Sequence, residues 1–398
     1  MVLFNKTTLK NGLRILCEER ESDISTIMFA VPYGAMYEEK EEKGIAHFIE
    51  HLCFKGTEKR NTKEIAKTLE KYGGELNAFT HEEMTAYHVK IPNEFLEIAI
   101  DVLSDVFFNP IFPKEEIEKE RNVILEEIKM YYDNPRAHCY EKIKENLFSE
   151  PYGLFTAGSE ESLIKIDREK LLKKHRTIYC PENCILCVVG GNKFEDVVNI
   201  SNKYISSIER KGEKLRDISI EKRKRNNYEN RNNLSQANLC LGIHFPSFSN
   251  ELRYSAEIFN MILGVGMSSK LFSEVREKRG LVYGVRSELD LGRNYGYMVI
   301  WAGCDKKNIS EVIKISKEEF EKMKDINEQE LEDAKIQLIG SRKVHNSGLN
   351  EVAINLIMEE FNSNAKNYYE YETKINNVKR EEIKKLCTNL DFASYYLI

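Results

Sequence analysis

The chain sets down one order of elements twice. STIMFAVPYGAMYE, residues 25–38, reads as a strand leaving into a loop, and QANLCLGIHFPSF, residues 236–248, reads the same way. GIAHFIEHLCFKG, residues 44–56, with its successor over 62–72, supplies helices after the first. RYSAEIFNMILGVGMSSKLFSEVREK, residues 253–278, supplies them after the second. A hairpin follows each time, NAFTHEEMTAYHVKIP at 77–92 and GLVYGVRSELDLGRNYGYMVIWAG at 280–303, and then long helices, at 93–108 and 113–130 and at 307–323 and 327–345. A repeat of this kind predicts an α+β fold of two homologous α/β halves, each a mostly antiparallel sheet with helices packed on it. The charged, asparagine-rich stretch over 205–233 is the best linker, with room for a short strand. The expected division is an N-terminal half over 1–210 and a C-terminal half of similar fold over 211–398.

Local punctuation agrees. Asn11-Gly12 marks a hairpin turn at the start of the chain. Asn61-Thr62 opens a helix that Gly73-Gly74 stops, and CILCVVGG closes the first half as a buried strand.

Composition narrows the function classes. The 398 residues carry a formal net charge of -6, and nothing in that balance points to nucleic acid or an anionic membrane. No apolar run reaches the roughly 18 residues of a membrane span. The polar start MVLFNKTTLKNG does not read as a secretion signal, so a cytoplasmic protein is expected. Nine cysteines without small-scaffold spacing fit a reduced interior. Cys180, Cys184 and Cys187 read as small buried residues rather than metal ligands.

One stretch carries chemistry. His47 and His51 are four residues apart, one helical turn, and face the same way. Glu50 borders that face. This is the H-x-x-E-H spacing, in which two imidazoles grip one metal and the glutamate reaches a water beside it. Two neutral imidazoles suit zinc, and a catalytic zinc needs a third protein ligand and an open position. The alternative is two histidines on the polar edge of a core helix, which leaves Glu50 among apolar neighbours unexplained. EKERNVILEEIKMYYDNPR, residues 118–136, reads as a helix with Glu120 and Glu127 on a shared face. Spacing does not choose a third ligand among Glu116, Glu120, Glu126 and Glu127. His81, His88 and His138 have no partner at gripping distance in sequence and are expected to pack. GVGMSS, residues 264–269, lacks the Gly-Lys-Ser/Thr ending of a phosphate loop.

Four segments in order resemble the pitrilysin-like M16 zinc peptidases, the shorter processing-peptidase type: AHFIEHLCFKGTEKR, KYGGELNAFTHEEMTAYH, ERNVILEEI and SSKLFSEVREKRGLVYGV. The resemblance covers almost the whole chain. It implies His47, His51 and Glu127 as ligands of one Zn(2+) per chain, Glu50 as the general base, and Glu120 as an acid that holds a ligand imidazole. It implies that Asn77, Ala78, Phe79 and Thr80 form a strand that pairs with an extended peptide substrate. It places an Arg276–Tyr283 pair in the C-terminal, substrate-closing half, to hold substrate carbonyls and assist the oxyanion. Cys53 departs from the larger apolar residue usual at its position, and no main catalytic position is missing. A zinc endopeptidase acting on peptides or unfolded segments is therefore expected. A homodimer is the simpler assembly, with a heterodimer with a related subunit as the alternative. The rival function is a noncatalytic or partner-dependent scaffold or peptide-binding subunit.

Overall fold

Asn11-Gly12 does turn the chain between two strands. In the computed structural model, β1 (Leu3–Thr8) pairs antiparallel with β2 (Arg14–Glu19), and Gly12 takes a φ of 92°, which glycine adopts without strain. The structure describes residues 2–398 apart from Lys214, Arg216, Asp217, Asn233 and Asn389. Four of these fall in the expected linker, which to that extent lies outside the described residues.

The chain then runs through β3 (Ile24–Val31), α1 (Ile45–Cys53), α2 (Thr62–Glu70), β4 (Glu75–Thr80), β5 (Thr85–Pro92), α3 (Leu96–Phe108), α4 (Lys114–Asp133), α5 (Pro135–Leu147) and β6 (Ile185–Gly190). Asn61 accepts a bond from the Glu64 N–H, and the Glu64 side chain accepts one from the Asn61 N–H. That reciprocal capping box explains why α2 starts where it does. The first sheet has the order β1-β2-β6-β3-β5-β4. All its pairs are antiparallel except β2–β6.

The later strands are β7 (Asn226–Glu229), inside the expected linker, then β8 (Ala237–His244), β9 (Val282–Leu291), β10 (Gly296–Cys304) and β11 (Ala393–Leu397). Their order is β7-β11-β8-β10-β9, with only β7–β11 parallel. The two orders superimpose strand for strand once β1 is set aside. The two halves are thus repeats in topology, and the α+β expectation of mostly antiparallel sheets backed by helices holds.

The chain divides into two compact units, and neither is continuous in sequence. The first comprises residues 1–128, 155–218 and 345–368; the second comprises 129–154, 219–344 and 369–398. The helix Leu349–Asn362, from late in the chain, packs on β3 and β6 of the first sheet. α5, from early in the chain, packs on β8 and β11 of the second. β8 and β11 are the repeat counterparts of β3 and β6, so each sheet receives the equivalent helix from the other half of the sequence. The expected division at 210/211 rests on the repeat in sequence, and the compact units cross it.

In the first unit, α3 and α1 bury one face of the sheet. Phe29, Tyr87, Phe107 and Phe108 meet there at ring separations of 4.8–5.8 Å. The late helix buries Val352, Ala353, Leu356 and Ile357 against Met28, Ala30, Ala86 and Cys187 on the other face. All nine cysteines are free and buried. Cys184 and Cys187 have no exposed surface, as small core residues at a central strand. Among the described residues, no helix is long and apolar enough to cross a membrane.

Candidate metal centre

α1 is amphipathic in a way that decides its chemistry. Ile45, Ala46, Phe48, Ile49, Leu52 and Cys53 are fully buried in the core of the first unit. Truncating a packed Phe such as Phe48 to Ala costs roughly 3–5 kcal/mol, so the helix cannot rotate cheaply. What remains on its other face is His47, Glu50 and His51.

These two imidazoles turn their Nε2 atoms toward each other at 3.2 Å. Glu127 Oε2, from α4, lies 3.6 Å from each. Among the described residues these three are the only group of three or more His, Cys, Asp or Glu placed to hold one ion. A tetrahedral zinc with bonds of roughly 2.0–2.1 Å requires ligand atoms about 3.3 Å apart. The triangle of 3.2, 3.6 and 3.6 Å fits that ion with little adjustment. The donor set fits too. Burial first, and His51 second, push His47 down to about 4, so its imidazole is neutral with a lone pair to give.

The four glutamates that spacing left open separate in space. Glu127 faces both imidazoles. Glu120, two turns earlier, places Oε2 3.1 Å from His51 Nδ1, and its Oε1 accepts from Lys55 Nζ at 2.7 Å. Glu116 pairs with Lys119 on the surface. Glu126 is not in the three-residue group. Lys55 escaped the sequence reading. Its only signal was its position four residues after His51, just past the helix end.

Glu50 is largely buried, and burial raises its carboxyl above the usual range. The chief opposing influence is Thr80, whose Oγ1–H donates to Glu50 Oε2 at 2.6 Å. Thr80 ends β4, and β4 is an outer strand: no described strand pairs with its far side. His81 N–H bonds the Met84 carbonyl at 2.8 Å, which fixes the alternation along the hairpin. Thr80 and Ala78 fall in the wide pairs, with backbone N–H and C=O aimed at the open edge. Asn77 and Phe79 aim theirs inward to β5. Asn77 Oδ1 accepts the Ala78 N–H at 2.8 Å, as an edge group does when no strand is there to take it.

Arg276 and Tyr283 belong to the second unit. Arg276 is exposed and lies over the Phe272 ring at 4.7 Å. Tyr283 is 52% exposed and is the extra residue of a β-bulge, since Gly303 pairs with Gly284 and Cys304 with Val282. Bulges re-aim side chains in this way. Arg279 pairs with Glu274 at 2.7 Å. Of the three histidines expected to pack, His88 and His138 are at least partly buried and His81 is exposed. His81 lies against Phe79, His88 faces Asn350, and His138 Nε2 lies 2.9 Å from Glu229 Oε2.

Comparison with known proteins agrees along the chain. The family model described as Insulinase (Peptidase family M16) matches residues 14–160, and that described as Peptidase M16 inactive domain matches residues 165–338. An uncharacterized zinc protease of Bacillus subtilis is 30% identical over 99% of this chain and 97% of its own. One from Rickettsia felis is 35% identical over 84% and 82%. A protease from Helicobacter pylori has the same fold, with a TM-score of 0.92 at 21% identity, covering 100% and 99% of the two chains.

Proposed function

This chain belongs to peptidase family M16, and on that premise we propose that it is a zinc-dependent endopeptidase. The observation that carries the proposal is the triangle of His47 Nε2, His51 Nε2 and Glu127 Oε2 beside a buried Glu50. The three side chains would hold one zinc per chain. When bound, that ion supplies Lewis acidity, polarising a scissile carbonyl and making a water acidic enough to be deprotonated near neutral pH.

The chain's own groups supply the rest. Glu50 takes the proton of the attacking water and delivers it to the leaving amine. Its burial raises its basicity above that of an exposed carboxylate, which suits proton transfer. Glu120 accepts from the His51 ring and holds that imidazole toward the ion, while Lys55 donates to the other Glu120 oxygen and fixes the carboxylate in place. The outward backbone groups of Ala78 and Thr80 take an extended peptide as an added strand, which tolerates many side chains. Because Thr80 also donates to Glu50, that edge delivers the peptide beside the base. Arg276 and Tyr283 are assigned to substrate holding on the family pattern. The natural substrates are proposed to be peptides or unfolded segments, and the assembly a homodimer, or a heterodimer with a related subunit.

The test compares wild type with Glu50→Gln for bound metal and for cleavage of a mixed quenched-peptide library. The expected result is about one zinc per chain in both, with cleavage in wild type alone. Absence of zinc and of cleavage after zinc is supplied overturns the reading in favour of a scaffold or peptide-binding subunit.

A further inference from the structure

Lys40, Glu41 and Glu42 lead into α1, yet the residue that begins the helix is Gly44, at a φ of 94°. Gly44 offers no side chain to cap the helix. A Cβ there would also sit 2.5 Å from the Ala157 carbonyl oxygen. The N–H groups of the first turn therefore need an acceptor from elsewhere. Glu38 provides it: its Oε2 accepts from Gly44 N–H at 2.9 Å and its Oε1 from Ala46 N–H at 2.7 Å.

This carboxylate is 1% exposed. Burial pushes it up to about 7, against the pull of Lys43 and of the two N–H groups. Lys43 Nζ lies 3.8 Å away and donates to the Ala35 carbonyl at 2.7 Å. A buried charge is costly to keep, and here both oxygens are used at one helix start. The short turn that carries Glu38 is itself fixed to the hairpin. Ala35 N–H bonds His81 O at 3.1 Å and Met36 N–H bonds Glu82 O at 2.9 Å. One side chain thus connects the β4–β5 turn with the residue preceding His47.

We propose that Glu38 is a positioning residue of the metal centre: by clamping the Gly44 and Ala46 N–H groups it sets where α1 begins, and so where His47 and Glu50 stand relative to the outer strand β4. The proposal rests on the zinc peptidase reading of His47, His51 and Glu127. Glu38 touches neither metal nor substrate in this role. It acts through the backbone of α1. A carboxamide in its place retains one acceptor oxygen and turns an NH2 group toward the second N–H, so one bond is lost at nearly constant volume.

The experiment measures zinc affinity of the full chain by competition with a chromogenic chelator, and kcat and KM separately on a quenched peptide at saturating zinc. Glu38→Gln is expected to bind zinc about tenfold more weakly and to lose kcat with KM unchanged. Glu38→Asp keeps the charge but is one methylene shorter and reaches a single N–H; it is expected to fall between Glu38→Gln and wild type. Glu38→Asp decides the matter if Glu38→Gln does not fold. Wild-type zinc affinity and kcat in the folded variants, with only the melting temperature lowered, overturn the proposal and leave Glu38 a structural cap. Wild type that takes up no zinc overturns the functional reading, and this inference with it.

Discussion

Thr80 Oγ1 donates to Glu50 Oε2 at 2.6 Å, joining the last residue of an outer strand to the acid of the H-x-x-E-H helix. The bond favours the ionised carboxylate, while burial favours the protonated one. Thr80→Val removes the donor at almost constant shape, so the Glu50 carboxyl rises further. A general base works only when ionised, and its activity is lost as pH falls through its pKa. The acid limb of the kcat/KM profile is therefore expected to move to higher pH in Thr80→Val. At a given pH on that limb, kcat/KM should fall by about tenfold or more, since hydrogen bonds to charged groups are worth roughly 1.5–3 kcal/mol. An acid limb that stays in place would mean that Glu50 does not set it.

Glu120 stands between His51 Nδ1 at 3.1 Å and Lys55 Nζ at 2.7 Å. Replacing it with Gln removes the charge that holds the His51 ring, leaves one acceptor oxygen for two donors, and leaves Lys55 without its counter-charge. Zinc affinity is expected to drop by about 10–100-fold. Glu116→Gln on the same helix, where the carboxylate pairs with Lys119 at the surface, serves as the control and should bind zinc as wild type does. Equal affinity of Glu120→Gln and wild type in a chelator competition would remove Glu120 from the metal centre.

Which parts of this arrangement were legible in the sequence follows from how local their causes are. α1 and α2 announce themselves by period and, for α2, by the Asn61–Glu64 cap. The β4–β5 hairpin lies where alternating residues flank His81-Glu82-Glu83. α5 was also signalled, by Asn134 accepting from the Arg136 and Ala137 N–H groups and by Pro135 at its first position, but the pair reads as readily as a turn. The helix Leu349–Asn362 follows Gly348 with no side-chain cap, so nothing local marks its start. β11 pairs with strands about 150 residues earlier, and no local pattern encodes such partners. The choice of Glu127 over its neighbours is of the same kind. All four glutamates share one helix, and only the packing of α4 beside α1 brings one of them to 3.6 Å from both imidazoles.

Gly303 offers a test of Tyr283 that leaves the tyrosine in place. A Cβ at Gly303 would lie 2.1 Å from Tyr283 Cε1, so Gly303→Ala must push the ring off the bulge. The obstructed atoms belong to the end of a half-exposed side chain, which can swing away at small cost. The melting temperature should therefore change by only a few degrees, within about 1 kcal/mol. If Tyr283 holds substrate, kcat/KM should fall about as far as in Tyr283→Phe, with zinc content unchanged. Full activity in Gly303→Ala and in Tyr283→Phe would reduce Tyr283 to a surface residue of β9.

His175 governs a pH dependence that has nothing to do with the metal. Its ring is buried against Tyr179 and Phe112, at centroid separations of 4.4 and 5.6 Å, with Nε2 2.9 Å from the Phe107 carbonyl. Nε2–H donates there, which fixes the neutral tautomer. Burial pushes the imidazole down to about 3, and the Phe107 carbonyl only partly opposes it. In the unfolded chain the same group titrates near 6.5. Below about pH 6.5 the unfolded state binds a proton that the native state refuses, so stability falls with pH, by up to about 1.4 kcal/mol per unit, until the native pKa is reached. Above pH 7 both states are neutral and the residue contributes no slope. His175→Gln keeps an N–H donor without a titrating ring. It should be less stable than wild type at pH 7.5 through lost packing, and the gap should narrow as pH falls from 6.5 to 4. Urea midpoints for both proteins across that range measure it. Parallel curves would mean that His175 is not what makes the fold sensitive to acid.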